Sequence, residues 1–203
     1  MTKIKLCGLS RPCDIEWVNI LKPEYIGFVF AEKSRRFVSA DTAKGLKSGL
    51  NPEIKAVGVF RDATPERIAD LLSCGVIDIA QLHGAETEEY INKLRSLTDK
   101  PIIKAFRIAS PADIADAQNS TADFVMLDSG GGTGHGFDWN LAKSIKRPYF
   151  LAGGLSPDNV KEAVALLEPF AVDVSSGIET EGLKDLQKMT EFIRTVRGTT
   201  ERK

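Results

Sequence analysis

The chain has 203 residues, 42% hydrophobic and 27% charged, with a formal net charge of -1. That length suits one domain with one sizeable core, and the even mix of acids and bases favours neither nucleic acid nor an acidic membrane as partner. Three cysteines in no paired pattern and two histidines argue against a disulfide framework or a zinc site, and no stretch approaches the roughly 20 apolar residues of a membrane span. The start, Met1-Thr2-Lys3-Ile4-Lys5-Leu6, is too short and too charged for a signal peptide, so a cytoplasmic, metal-free protein is expected. Without a secretory signal, Asn119-Ser120-Thr121 is a chance match to a glycosylation sequon.

Strands and helices alternate along the chain. Residues 4–7 form a first strand, and 14–21 carry Ile15, Val18 and Leu21 at helical spacing. Residues 25–30 are the second strand, followed by a helix over 42–48 with Ser39 and Asp41 as candidate caps. After a third strand at 55–60, Thr64-Pro65-Glu66 opens a helix by cap and proline, with Ile68, Leu71 and Leu72 on its core face. A fourth strand at 79–83 precedes a helix over 86–97. The fifth strand is 101–106, and Ser110-Pro111 starts the next helix, with Ile114 and Ala117 inward. The sixth strand, 124–128, is an unbroken apolar run ending in Asp128, then a glycine-rich loop and a short helix over 139–145. The seventh strand is 149–152, with Ser156-Pro157-Asp158 capping a helix that runs to Leu167. The eighth strand is 171–175, and a long helix over 183–196 closes the chain, leaving a polar tail from Gly198 that reads as frayed.

Eight strand–helix units of about 25 residues each, without a linker, require a parallel sheet covered by helices, and near-equal units favour closure into a single-domain (β/α)8 TIM barrel over residues 1–203. The rival is an open doubly wound sheet. Its dinucleotide-binding form needs Gly-x-Gly-x-x-Gly after an early strand, and Cys7-Gly8-Leu9-Ser10 does not match. The loop after Asp128 also lacks the Lys-Ser/Thr ending of a P-loop.

In a barrel the active site lies at the C-terminal ends of the strands. That rule selects Cys7, the loop after Phe30, Phe60-Arg61, His83, Arg107, Asp128, Gly153-Gly154 and Ser175-Ser176-Gly177. Gly153-Gly154 and Ser175-Ser176-Gly177 follow strands seven and eight, where glycines bring backbone N–H groups close and hydroxyls complete a phosphate cradle, unless they are ordinary turns. Cys7 is either a small buried hydrophobe or a base or nucleophile whose thiolate is stabilised. Asp128 either does chemistry or ties down its loop. Arg36, in a basic loop, is either solvated or grips a substrate carboxylate with two hydrogen bonds. His83 either shapes the mouth or is a satisfied structural group, and His135 reads as loop surface. Asp173 shares a strand face with Ser175; it is either an inward carboxylate near the site or a partner of Lys5 or Lys104.

Taken in order, these segments resemble the phosphoribosylanthranilate isomerase family of tryptophan biosynthesis. The resemblance rests on Lys5-Leu6-Cys7-Gly8-Leu9, Gly27-Phe28-Val29-Phe30 with Lys33-Ser34-Arg35-Arg36, Gly58-Val59-Phe60, Gln81-Leu82-His83-Gly84 and Leu127-Asp128. It continues through Gly132-Thr133-Gly134, Phe137-Asp138-Trp139, Leu151-Ala152-Gly153-Gly154-Leu155, Pro157 with Asn159-Val160, and Val172-Asp173-Val174-Ser175-Ser176-Gly177-Ile178-Glu179. Two departures, Leu21-Lys22-Pro23-Glu24-Tyr25 for a Gly-Ala-Asp turn and Glu32 for a proline, lie outside the site.

The resemblance implies an Amadori rearrangement of N-(5-phosphoribosyl)anthranilate to 1-(2-carboxyphenylamino)-1-deoxyribulose 5-phosphate. Asp128 would be the general acid at the ring oxygen and Cys7 the general base at C2′. Arg36, Gln81, His83, Gly153, Gly154, Asp173, Ser175, Ser176 and Gly177 would hold the phosphosugar. The acid needs its proton at neutral pH, and the thiol needs some thiolate. With no redox change or group transfer, no cofactor is called for. The partner is a small molecule, and the chain is expected to be a monomer or homodimer. The segments after strands one and six are expected to close over substrate. The enzymatic rivals are indole-glycerol-phosphate synthase, which usually relies on lysine and glutamate at strand ends, and the histidine-pathway aminoaldose isomerase, which has an aspartate where this chain has Cys7. A non-catalytic phosphate-binding barrel is the third reading, and the presence of both Cys7 and Asp128 argues against it.

Overall fold

In the computed structural model, which describes residues 1–129 and 139–200, eight parallel strands close into a barrel. In chain order they are β1 (Lys3–Cys7), β2 (Tyr25–Val29), β3 (Lys55–Phe60), β4 (Ile79–Leu82), β5 (Ile102–Arg107), β6 (Phe124–Asp128), β7 (Tyr149–Leu151) and β8 (Ala171–Val174). The ring shuts through β1 against β8, with Lys5 opposite Asp173 and Leu6 opposite Val174. Helices α1 (Pro12–Leu21), α2 (Ala40–Ser48), α3 (Pro65–Ser73), α4 (Glu88–Arg95), α5 (Pro111–Asn119), α6 (Trp139–Ala142), α7 (Val160–Leu167) and α8 (Leu186–Thr200) cover its outside.

The strands read as unbroken apolar runs because both faces are buried. Successive side chains alternate between the barrel interior and the helix layer. Leu6, Ile26, Phe28, Leu82, Leu127 and Val172 pack outward in one cluster with Val18, Leu46, Ile68, Leu94 and Phe192 of the helices. Tyr25, Val57, Ile79, Ile103, Met126 and Phe150 fill the interior. At the N-terminal end of the barrel Phe124 stacks on Phe170 at 5.1 Å and meets Phe150 edge-on at 5.9 Å. This aromatic floor leaves the opposite rim as the open end.

The caps follow from sequence. Ser39 accepts from Thr42 N, Thr64 from Arg67 N and Thr87 from Tyr90 N, and prolines stand in the first turn of α1, α3 and α5. Several boundaries differ from expectation. Helix α2 begins two residues earlier than 42, directly after its Ser39 cap. Helix α4 begins at Glu88 because Glu86 turns back to accept from Asp62 N and Gly84 N. The cap of α7 is Asn159, whose Oδ1 accepts from Ser156 N while its Nδ2 donates to Gly154 O.

The largest difference lies after β8. The long helix expected from residue 183 starts at Leu186. Leu183–Lys184 instead forms a two-stranded antiparallel ribbon, β10, with β9 (Glu179–Thr180). Glu181 and Gly182 both have positive φ, 53° and 82°, the geometry of a tight hairpin turn. Leu183 is accordingly 52% exposed, although its spacing matches the buried Met189, Phe192, Ile193 and Val196. Helix α8 carries Gly198 and runs to Thr200, where the sequence suggests a frayed tail.

Candidate active site

A cavity of about 470 Å³ opens at the C-terminal ends of the strands. Cys7, Arg36, Gln81, His83, Asp128, Gly153, Gly154, Asp173, Ser175 and Ser176 all line it. Gly177, in the 3-10 turn Ser176–Ile178, packs against the carbonyl of Leu155 and joins the loops after β7 and β8. A groove of similar size, about 420 Å³, runs between α1 and α2 past Ile15 and Leu46, away from the strand ends. His135 and most of the glycine-rich loop, residues 130–138, lie outside the described residues. Arg107, also a strand-end candidate, is exposed.

Cys7 ends β1 and points inward beside Val29 and Val59, 7% exposed. Its sulfur occupies the space over Gly27, its register partner on β2; a Cβ on Gly27 would stand 2.6 Å from Sγ. Burial pushes the Cys7 thiol above its ordinary range, against the pull of the Lys5 and Lys184 ammonium groups. Below it, Lys5 is fully buried and donates to Asp173 Oδ1 at 2.8 Å. Burial works against the Lys5 charge, but Asp173 and Cys7 outweigh it and hold Lys5 above the usual lysine range. The choice left open by the sequence is thereby made: Asp173 pairs with Lys5 and also borders the cavity. Lys104 instead donates to Gly84 O and Glu86 Oε2, both at 2.8 Å, tying down the loop that follows His83.

Asp128 ends β6 across the rim from Cys7, 7% exposed. Its Oδ2 lies 2.9 Å from His83 Nε2, and His83 Nδ1 lies 3.3 Å from Gln81 Nε2. Gln81 Nε2 also approaches Met126 Sδ at 3.3 Å, while Gln81 Oε1 is buried without a hydrogen-bond partner among the described residues. Gly153 has φ 88°, and a Cβ there would lie 2.7 Å from Asp128 Oδ1 and clash with Ser129. Only glycine lets the β7 loop pass so close to the acid.

Arg36 is held in a fork. Its Nε and Nη2 each donate at 2.6 Å to the two carboxylate oxygens of Glu179. That uses one side of the guanidinium and leaves the Nη1 end available as a donor. Glu179 also accepts from Lys184, which donates in turn to Ser175 O at 3.0 Å. The Ser175 hydroxyl donates to Cys7 O at 3.1 Å. The ribbon β9–β10 thus locks the Arg36 loop to the β8 loop and to the base of Cys7. Lys5, Glu179 and Lys184 escaped the sequence reading as site residues. The register of period two could have flagged Lys5, which shares a strand face with Cys7.

The fold and rim define a (β/α)8 enzyme whose site places a thiol and a carboxylic acid around one cavity edged by glycine and serine loops. The family model described as N-(5'phosphoribosyl)anthranilate (PRA) isomerase matches residues 4–195, and the chain belongs to that family. It is 44% identical to the N-(5'-phosphoribosyl)anthranilate isomerase of Endomicrobium trichonymphae, over 98% of this chain and 100% of that one. It is 45% identical to that of Acetivibrio thermocellus, over 97% and 96%. The crystal structure of phosphoribosyl anthranilate isomerase from Thermotoga maritima superposes with a TM-score of 0.88 at 34% identity, over 98% and 100%. A crystal structure of phosphoribosyl anthranilate isomerase with reduced 1-(o-carboxyphenylamino)-1-deoxyribulose 5-phosphate gives 0.87 at 34%, over the same shares.

Proposed function

We propose that this chain converts N-(5-phosphoribosyl)anthranilate to 1-(2-carboxyphenylamino)-1-deoxyribulose 5-phosphate in tryptophan biosynthesis, with Asp128 as general acid and Cys7 as general base. The observation that carries this reading is the meeting of Cys7 and Asp128 around one rim cavity, in a chain of this family.

In the first step Asp128 gives its proton to the furanose ring oxygen, and the C1′–O bond breaks to leave a Schiff base. The Cys7 thiolate then takes the C2′ proton, and the electrons neutralise the iminium to give an enolamine. Tautomerisation of the enolamine yields the ketone. Two acid–base groups held on opposite walls need no further chemistry from the protein beyond binding and orientation.

His83 serves Asp128 in this reading. Gln81 Nε2, 3.3 Å from His83 Nδ1, braces the imidazole from its other side. His83 Nε2, 2.9 Å from Asp128 Oδ2, holds the carboxyl group in one orientation at the rim. The loops with Gly153-Gly154 and Ser175-Ser176-Gly177 take the phosphate, and Arg36 takes the anthranilate carboxylate through the end of its guanidinium that Glu179 leaves open. The ligand is a small phosphosugar with no cofactor. Among the described residues no helix is long and apolar enough to cross a membrane. The cytoplasm is the proposed site of action and a monomer or homodimer the proposed state; a Thermotoga maritima relative is described as dimeric.

Adding the protein to freshly made phosphoribosylanthranilate tests the proposal. The anthranilate fluorescence decays faster than in buffer, and a decay no faster than the spontaneous one refutes the activity.

A further inference from the structure

A fully buried lysine inside a barrel calls for an explanation, because an apolar side chain of similar volume would carry no desolvation cost. Lys5 does not line the cavity, whereas its partner Asp173 and the sulfur two residues further along β1 both do. Alternation puts Lys5 and Cys7 on one interior face, about 6.6 Å apart along the strand, within the reach of a lysine side chain. One ammonium hydrogen goes to Asp173 Oδ1, and the ammonium lies on the strand face that carries the Cys7 sulfur.

The charges around the sulfur leave room for one more anion. Three cations (Lys5 on β1, Arg36 in its loop, Lys184 on β10) face two carboxylates, Asp173 on β8 and Glu179 on β9. Among the described residues, the other ionisable groups at the cavity are Arg61, His83 and Asp128, at the ends of β3, β4 and β6.

We propose that Lys5 and Asp173 are positioning residues that set the charge of the Cys7 sulfur: the ammonium stabilises the thiolate, and the carboxylate limits how strongly it does so. This deepens the reading of Cys7 as the base and takes its catalytic meaning from it.

The two partners therefore act in opposite directions on one measurable quantity. In a Cys13→Ser, Cys74→Ser background, the thiolate is titrated by its ultraviolet absorbance, with Cys7→Ala as the blank. Lys5→Met raises the midpoint by about one pH unit or more, Asp173→Asn lowers it by about one, and Lys5→Arg restores it towards the parent. An unchanged midpoint in Lys5→Met, or a rise in Asp173→Asn, overturns the proposal. If Lys5→Met does not fold, the direction of the Asp173→Asn shift decides alone. A purely structural ion pair would lower the Tm of both variants and move neither midpoint. The pH profile of kcat/KM separates this inference from the one beneath it. Midpoints that move as expected while the acidic limb of kcat/KM stays in place uphold the tuning and remove Cys7 as the base.

Discussion

His83 Nε2 stands 2.9 Å from Asp128 Oδ2, the contact that gives the proposed acid a fixed direction at the rim. Asp128→Asn keeps the shape and removes the transferable proton, and Cys7→Ser replaces a thiol by a far weaker acid. Each is expected to lower kcat by at least about 100-fold, the low end for acid–base groups. His83→Asn removes only the orienting partner and is expected to cost about 10-fold. Steady-state kinetics decide; near-normal turnover in Cys7→Ser or Asp128→Asn removes that residue from its role.

The Arg36–Glu179 fork makes a separate prediction for substrate binding. Arg36→Met is expected chiefly to raise KM. Glu179→Gln is expected to do the same to a smaller degree, because it frees the guanidinium from its set orientation without removing it. An unchanged KM with lost kcat in Arg36→Met would contradict the carboxylate clamp.

Gly27 has no direct chemistry, yet its missing Cβ is the seat of the Cys7 sulfur. Gly27→Ala must displace Sγ or spread β1 from β2. We expect a stability loss of about 1–3 kcal/mol, the usual cost of overpacking, and a fall in kcat out of proportion to it. Urea unfolding and kinetics on the same preparation measure both, and full activity would show that the sulfur need not sit there.

Burial holds the Cys7 thiol above its ordinary range, and a base works only when deprotonated. Activity limited by this group rises with pH, and its midpoint lies above about 8.5, the value of a free thiol. The acidic limb of kcat/KM against pH is therefore expected at or above that value. A limb near pH 6 would point to another group.

Glu179 is partly buried, which disfavours its charge, but hydrogen bonds from Arg36 and Lys184 prevail and hold its carboxyl below the usual range. A depressed folded-state value means its stabilisation is complete above the unfolded-state value of about 4.3 and is lost as pH falls through the lower folded one. Glu179→Gln should thus destabilise the protein near neutral pH and flatten the fall in stability on acidification. Urea midpoints measured from pH 7 down to about pH 3 test this, and parallel curves for parent and variant would refute it.

The eight strands were legible because a sheet buried on both faces writes itself as short apolar runs, as in Phe124–Asp128 and Ile79–Leu82. Caps such as Thr64 with Pro65 were legible for an equally local reason. The ribbon of Glu179–Thr180 and Leu183–Lys184 was not. Leu183 continues the helical spacing of the residues behind it, and only pairing across Glu181-Gly182 removes it from the helix. Ser156-Pro157 is the stronger local cap signal in the sequence, and it is Asn159's reach to Gly154 O that favours the later start.

The alternating strand–helix units and the strand-end places of Cys7, Asp128 and the two glycine loops are written in the amino acids, because apolar runs, caps and strand ends are local properties. Which groups touch is not local. Lys5 meets Asp173 across 168 positions of chain, Arg36 meets Glu179 across 143, and His83 meets Asp128 across 45. Those pairings come from the stagger of a closed sheet, which brings remote strand ends to one rim at distances no single segment encodes.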